Sequence, residues 1–94
     1  MEGEGTYIWN DGKKYVGAWS RNTRKGFGIL TLPEGKYYKG EWDNNERWGW
    51  GEFHWGPDHY YIGYWVENVR EGTGEYMEDG NKYIGSWISD KKHG

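Results

Sequence analysis

The chain has 94 residues, a net charge of −3 and no cysteine. Its length allows one small domain, and its charge lacks the strong basic excess of a general nucleic-acid-binding protein, so nucleic acid is not an expected partner. The lack of cysteine excludes disulfide chemistry and is compatible with an intracellular location.

A period of 23 residues organises the chain. GxG pairs begin at Gly3, Gly26, Gly49 and Gly72. Self-similarity at a fixed period is the signature of a repeat architecture. We therefore predict a single domain over residues 1–94, made of the repeats 3–25, 26–48, 49–71 and 72–94.

Each repeat has the pattern of a β-hairpin. The predicted hairpin turns are NDGK (10–13), PEGK (33–36), GPDH (56–59) and EDGN (78–81), which are rich in turn-forming residues. The polar links between hairpins carry Asn22, Asn45, Asn68 and Asp90 at one repeated position, and these residue types enter the left-handed region most easily. The pattern predicts an all-β fold: a single-layer, twisted antiparallel meander of four tandem hairpins, about eight strands, with no helix.

A Gly between a Tyr and a Trp recurs in all four hairpins, within YVGAW (15–19), YKGEW (38–42), YIGYW (61–65) and YIGSW (83–87). Gly weakens a strand interior unless another group must come close. We predict a register in which Phe53 faces Gly63 and Trp65 faces Gly51, so that a large side chain from the next strand lies over each Gly. The predicted front face carries Tyr7, Trp9, Tyr15, Trp19, Leu30, Leu32, Tyr38, Trp42, Phe53, Trp55, Tyr61, Trp65, Tyr76, Tyr83 and Trp87.

The succession of GxG, turn, YxGxW and polar link resembles the MORN (membrane occupation and recognition nexus) repeat over essentially the whole chain, as four repeats. The residue before GxG is usually His in that family, and here it is Lys25, Trp48, Glu71 and His93. Choline-binding cell-wall repeats, which are also aromatic and Gly-rich, fit YxGxW less well. The resemblance implies a curved sheet whose aromatic groove commonly holds a peptide, a helix or a sibling chain.

The front face is therefore the first candidate for binding a protein or peptide, or a second copy in a homo-oligomer. Its rings recur in every repeat, and a single sheet has no second layer to cover them. The candidate residues are Trp9, Trp19, Tyr38, Trp42, Trp55, Tyr61, Trp65, Tyr83 and Trp87.

The opposite face of the sheet, the back face, is the secondary candidate. In the second and third repeats it offers large apolar residues, and an exposed apolar patch on a sheet usually marks a contact. The residues proposed for binding are Trp48, Trp50, Tyr60 and Tyr64. Partial packing against the links is the alternative explanation.

A column of basic residues, Arg24, Arg47, Arg70 and Lys92, occupies one repeated position. We expect it along one loop edge of the sheet. It suggests contact with anionic phospholipid or an acidic peptide, at about 1 kcal/mol for each cation near an anionic membrane. Interleaved acids such as Glu46 and Glu71 would equally suit a solubilising edge.

No group of residues suggests catalysis. The three histidines fall on strand, turn and tail, and no helix follows the GxG pairs as it would in a phosphate loop. We expect no enzyme activity, no metal site and no cofactor.

Three hypotheses of function follow. The first is a non-catalytic scaffold that binds a protein segment, the second a peripheral membrane module that binds anionic lipid, and the third a carbohydrate-binding module, because rings in a groove also stack on sugars. The expected location is intracellular, either cytoplasmic or associated with cytoskeleton or membrane. The chain starts and stops near the same point of the repeat, as a segment of a longer array would.

Overall fold

The chain forms one open antiparallel sheet in which sequence neighbours are also spatial neighbours. The computed structural model describes residues 3–93; Gly94, the last residue of the predicted fourth repeat, lies outside the described residues. The strands are β1 (Gly3–Ile8), β2 (Lys14–Ser20), β3 (Thr23–Thr31), β4 (Tyr37–Asp43), β5 (Glu46–Gly56), β6 (His59–Val66), β7 (Val69–Glu78), β8 (Asn81–Ile88) and β9 (Lys91–His93). Over these residues the only helical element is a three-residue 3-10 turn, Pro33–Gly35. The predicted all-β meander is confirmed, with nine strands instead of eight.

The links between the predicted hairpins are themselves tight two-residue turns. Asn22, Asn45, Asn68 and Asp90 have φ angles of 64°, 69°, 71° and 70°, as the residue types predict. The residue before each also has a positive φ, for example 50° at Asn44. Positive φ at both central residues is the mark of a type I′ turn, whose twist matches that of the flanking strands. Tight turns at both ends of the strands produce an unbroken meander.

The predicted register is wrong by two residues. Gly51 pairs with Gly63 and Phe53 pairs with Tyr61, so glycine faces glycine instead of a ring. The third hairpin turn is shorter than the prediction assumed, since Gly56 pairs with His59 across only two residues. A shift of two residues leaves every side chain on its predicted face, because strand side chains alternate with a period of two.

The corrected register aligns one glycine from each of the first eight strands across the sheet, a feature called here the glycine row. The row consists of Gly5, Gly17, Gly28, Gly40, Gly51, Gly63, Gly74 and Gly85. Beside it on the front face runs a row of large side chains, in which Tyr38 lies between Leu30 and Phe53. A strip of the front face therefore has no Cβ atoms, and rings from the adjacent row can lie over it.

The tyrosine of each YxGxW motif occupies this strip. The hydroxyl oxygen of Tyr61 would lie 2.6 Å from a Cβ added at Gly63, two residues along the same strand. Tyr61 also covers Gly74 on the next strand. The Gly is a seat for a ring, as predicted, but the ring is the Tyr of the same motif and not the predicted Phe or Trp.

The two glycines of the second, third and fourth GxG pairs have different roles. The first, for example Gly26 with a φ of 96°, lies at a break in the register between β2 and β3 and adopts a conformation that side chains disfavour. The second, Gly28, belongs to the glycine row. The spacing of the pair thus combines a bulge with a ring seat.

Candidate functional site

All fifteen residues predicted for the front face lie there. Seven are buried and form the core of the sheet, namely Tyr15, Tyr38, Trp42, Phe53, Tyr61, Trp65 and Trp87. Seven others pack partly buried against them, namely Trp9, Trp19, Leu30, Leu32, Trp55, Tyr76 and Tyr83. The fifteenth, Tyr7, is 45% exposed and contacts the Trp9 ring at a centroid distance of 4.8 Å.

Edge-to-face contacts connect the core rings from one hairpin to the next. The Tyr38 ring meets Trp42 of its own motif at 5.0 Å and Trp65 of the next motif at 5.7 Å, both T-shaped. The hydroxyl of Tyr38 donates a hydrogen bond to the carbonyl of Glu41 at 3.0 Å. Such aromatic pairs add about 0.5–1.5 kcal/mol each beyond burial, so the cluster holds neighbouring repeats together.

The tryptophans of the first three motifs anchor their rings on the glycine row. The indole N–H of Trp19, Trp42 and Trp65 donates to the carbonyl of Gly5, Gly28 and Gly51, at 3.2–3.3 Å. Trp65 thus contacts the predicted Gly51 through a hydrogen bond to its carbonyl, although the two residues are not opposite each other in the ladder and the tyrosine ring covers the Gly. In the fourth motif Nε1 of Trp87 is buried without a hydrogen-bond partner among the described residues.

Burial divides the nine predicted front-face binding residues into two groups. Tyr38, Trp42, Tyr61, Trp65 and Trp87 are at most 5% exposed. Trp9, Trp19, Trp55 and Tyr83 are partly exposed. The first group supports the face from below, whereas the second, with Tyr7, offers ring surface to a ligand.

The arginines of the basic column stand at strand ends beside the links, in line with the predicted edge, but their side chains lie over the front face. The guanidinium carbons of Arg24, Arg47 and Arg70 stand 4.5, 4.5 and 4.4 Å from the ring centroids of Trp42, Trp65 and Trp87. Each guanidinium thus covers the tryptophan of the following repeat. Cation–π contact and the apolar side-chain stem both favour this position, which an extrapolation from loop composition could not reveal.

A repeated clamp fixes each arginine. The Arg24 backbone N–H donates to Oδ1 of Asn45 at 2.7 Å, and Nε and Nη2 donate to Oδ1 and the carbonyl oxygen of the same residue, each at 3.2 Å. Arg47 repeats these bonds with Asn68. This clamp was not predicted from the sequence, although its signal is present: an Arg is followed 21 residues later, in the next repeat, by an Asn.

In the third clamp a carboxylate replaces the amide. Nε of Arg70 lies 3.0 Å from Oδ1 of Asp90 and forms an ion pair with it. Arg24 and Arg47 form no ion pair within 4 Å among residues 3–93. The three guanidinium groups have the same geometry but differ in charge compensation.

The buried tyrosines and arginines titrate abnormally for one main reason. Burial raises the pKa of Tyr15 and Tyr61 to about 12 each, against the opposing effect of a nearby arginine. Burial also lowers the pKa of Arg24 and Arg47. In Arg47 the effect of burial on the pKa is opposed by Tyr38 and by the carboxylate of Asp90, and is reinforced by the charges of Arg70 and Arg24.

Two adjacent hollows on the front face, together called here the groove, share part of their lining. One, of about 440 Å³, is lined by Tyr7, Trp9, Trp19, Asn22, Arg24 and Asn45. The second, of about 480 Å³, shares Trp9, Arg24 and Asn45 with the first and extends over Leu30 and Leu32 to Arg47 and Phe53. The groove occupies the front face between β1 and β5.

At the other end of the front face, Lys92 takes the position of the clamp arginines. Its Nζ lies 5.4 and 5.3 Å from the ring centroids of Tyr76 and Tyr83. These residues line a smaller hollow of about 260 Å³ together with the turn acids Glu78 and Asp79.

The back face carries an exposed aromatic patch where the sequence predicted one. Trp48, Trp50 and Tyr64 are 50%, 46% and 49% exposed, and the rings of Trp50 and Tyr64 meet edge to face at 5.2 Å. Tyr60 is half-buried, and its hydroxyl donates to Glu75 at 3.0 Å. Partial packing against the links does not cover the first three rings.

The arrangement offers surfaces for binding. Within residues 3–93 no three His, Asp or Glu side chains converge as a metal site requires. The part of the chain that the structure describes also holds no helix long and apolar enough to cross a membrane.

Comparison with known proteins agrees with the repeat pattern. The family model for the MORN repeat matches residues 1–14, 15–37, 38–59, 61–82 and 83–94. The second to fifth of these segments begin at the tyrosine of YxGxW, whereas the predicted repeats begin at GxG. A search of curated proteins finds no match. MORN repeats are generally non-catalytic binding modules. Matched over nearly its whole length, the chain belongs to the MORN-repeat family.

Proposed function

We propose that this chain is a non-catalytic scaffold that holds a segment of another protein on its front face. The groove that crosses β1 to β5 carries the proposal. Its two hollows share three lining residues, and part-exposed rings line it above a buried aromatic floor. Rigid rings that bury large areas at low entropic cost are typical of protein-binding hot spots.

The rings in the groove differ from those that hold the sheet together. Tyr7 is 45% exposed and Trp9 lies in the turn after β1, so both can be removed without emptying a ring seat. Trp42 and Trp65, by contrast, are 5% and 2% exposed, and their loss would damage the fold. Binding and stability can therefore be tested separately.

The test is affinity capture from a cell extract, followed by mass spectrometry and by capture with two matched variants. The front variant is Tyr7→Ala with Trp9→Ala, and the back variant is Trp50→Ala with Tyr64→Ala. We expect the front variant to lose the captured protein and the back variant to retain it. Both should keep the β-sheet signal in circular dichroism, the back variant with a near-parental melting temperature and the front variant with a lower one, because Trp9 packs against the core. Loss in the back variant only would contradict the proposal and assign the partner to the back face.

A second copy of the chain is an alternative occupant of the aromatic surfaces. Light scattering over a range of concentrations measures self-association directly. If the chain dimerises and the front variant abolishes the dimer, the front face binds a sibling chain instead of another protein.

Binding of anionic phospholipid is the second candidate function. It is favoured by the four cations Arg24, Arg47, Arg70 and Lys92, which share the front face. Against it, the net charge is −3 and the clamped guanidinium groups are half-buried, which limits their reach to a flat surface. Co-sedimentation with phosphatidylserine vesicles at low and high salt tests it, because lipid attraction is screened within about a Debye length.

Carbohydrate binding has less structural support. Stacking on a sugar needs an open ring face, and a guanidinium already covers Trp42, Trp65 and Trp87. Titration of soluble glycans against tryptophan fluorescence tests the remaining rings.

A further inference from the structure

The front groove contains two positive charges, on Arg24 and Arg47, that form no ion pair within 4 Å with a carboxylate of the described chain. The carboxylate of Asp90, which pairs with Arg70, acts on Arg47 only from a longer distance. Arg24 and Arg47 are clamped by the neutral amides of Asn45 and Asn68. The equivalent Arg70 pairs with the carboxylate of Asp90. Arg24 and Arg47 also line the second hollow of the groove, of about 480 Å³, so their guanidinium groups border a space that a ligand can enter.

The strand acids lie mainly on the other face. Glu4, Glu41, Glu52 and Glu75 each stand next to a member of the glycine row along their strand. Because side chains alternate, these four carboxylates point away from the groove. A protein with a net charge of −3 therefore has a locally cationic binding surface.

The two guanidinium groups retain the capacity to bind an anion. A guanidinium has five N–H donors. In Arg24 and in Arg47, the hydrogen bonds with other described residues use one N–H on Nε and one on Nη2. Burial lowers the pKa of both arginines because it removes water from the guanidinium groups, and a bound anion would replace part of that lost solvation. Carboxylates match guanidinium geometry, and such pairs are stronger than neutral hydrogen bonds.

The strand spacing sets the separation of the two charges. Arg24 lies on β3 and Arg47 on β5, two strands further along the sheet. With about 4.8 Å between strands, the two positions are about 9–10 Å apart. A polyproline II segment rises about 3.1 Å per residue, so its residues i and i+3 are about 9 Å apart. A peptide of this form that crosses the strands therefore brings the side chains of its residues i and i+3 to Arg24 and Arg47.

We propose that the front groove recognises an extended acidic peptide segment, with carboxylates three residues apart paired to Arg24 and Arg47. The apolar residues between them contact the rings and leucines of the groove. The proposal rests on the proposed function and names the chemistry of the partner.

The test uses labelled twelve-residue peptides of the repeated triplet Glu-Pro-Leu, with Gln-Pro-Leu and Lys-Pro-Leu as matched controls. Fluorescence anisotropy measures their affinity for the full chain. We expect the Glu peptide to bind about tenfold or more tightly than the Gln peptide, as one or two charge-assisted bonds provide. Binding should weaken as salt is added.

The decisive variant is Asn45→Asp with Asn68→Asp. It neutralises both arginines in place, and Asp90 already adopts this clamp geometry at a φ of 70°. We expect the Glu peptide to lose about tenfold in affinity and the Gln peptide to be unaffected. The control is Lys14→Glu on the back face, which makes the same change of two units in net charge and should leave binding unchanged.

The remaining outcomes separate this proposal from the proposed function. If Glu and Gln peptides bind equally, or the double variant retains the preference, the acidic preference is overturned while binding in the groove stands. If no peptide binds and only phosphatidylserine vesicles do, both proposals are overturned in favour of the membrane.

Discussion

Adding one methyl group at Gly51 should test the central structural feature, the seating of tyrosines on the glycine row. A Cβ built at Gly51 overlaps the hydroxyl and ring carbons of Tyr38, which is 0% exposed. If the ring stays, overpacking costs about 1–3 kcal/mol. If it leaves, the loss of about 150–250 Å² of buried ring costs about 4–6 kcal/mol at ~25 cal/mol/Å². The added Cβ overlaps three atoms of a fully buried side chain, which a small shift cannot relieve, so the cost lies between the upper end of the first case and the lower end of the second. We therefore expect Gly51→Ala to lower the free energy of unfolding by about 3–5 kcal/mol.

Gly56, on the same strand, provides the matched control. An added Cβ there meets no atom within 4 Å, so Gly56→Ala should be neutral or stabilising by up to about 1 kcal/mol. Thermal unfolding followed by circular dichroism compares the two, and at about 4 °C or more per kcal/mol Gly51→Ala should melt at least about 12 °C lower. Melting within about 2 °C of Gly56→Ala would refute the ring-seat interpretation. Combining Gly51→Ala with Tyr38→Leu should cost less than the sum of the single changes, because the two groups compete for one space.

Trp65 and Trp87 are both 2% exposed, but only the Trp65 indole N–H has a hydrogen-bond partner among the described residues. In urea unfolding, Trp65→Phe should therefore lower the free energy of unfolding by about 1 kcal/mol more than Trp87→Phe does. Equal losses would argue against that hydrogen bond. Tyr15 and Tyr61 have pKa values raised by burial from 10.0 to about 12. Their contribution to stability is complete below pH 10 and is lost as pH rises towards 12, because the unfolded chain releases these protons first. Ultraviolet titration should show at least two tyrosines ionising near pH 12, and a single transition at the ordinary value would contradict this. Asn45→Ala removes the hydrogen bonds that clamp Arg24 and also a side chain suited to a φ of 69°. We expect the free energy of unfolding in the same urea assay to fall by about 1–3 kcal/mol. An unchanged midpoint would show that the clamp is dispensable.

Repetition made the fold accessible from the sequence. The 23-residue period divided the chain into hairpins, and Asn or Asp in each link indicated left-handed turns that the structure confirms, as at Asn68 with a φ of 71°. Alternation along the strands placed all fifteen predicted front-face side chains on one face. Each of these inferences depends on local preference or on a period of two, which a single chain expresses without knowledge of its neighbours.

Register, by contrast, was decided by tertiary structure. Both candidate registers place the same side chains on the same face, so hydrophobic pattern could not distinguish them. The glycine row is selected because it lets Tyr38 and its equivalents lie over bare backbone on two adjacent strands at once. That gain exists only when neighbouring strands are assembled.

The position of the arginines is also a property of the assembled sheet. Composition suggested a solvated loop edge, since Arg24 and its equivalents follow a polar turn. The structure places each guanidinium over a tryptophan of the next repeat and bonds it to the following link. A side chain as long as arginine can reach either face from the end of a strand, and the choice depends on a ring and an amide about 20 residues away, which only the packing of successive repeats brings within 5 Å.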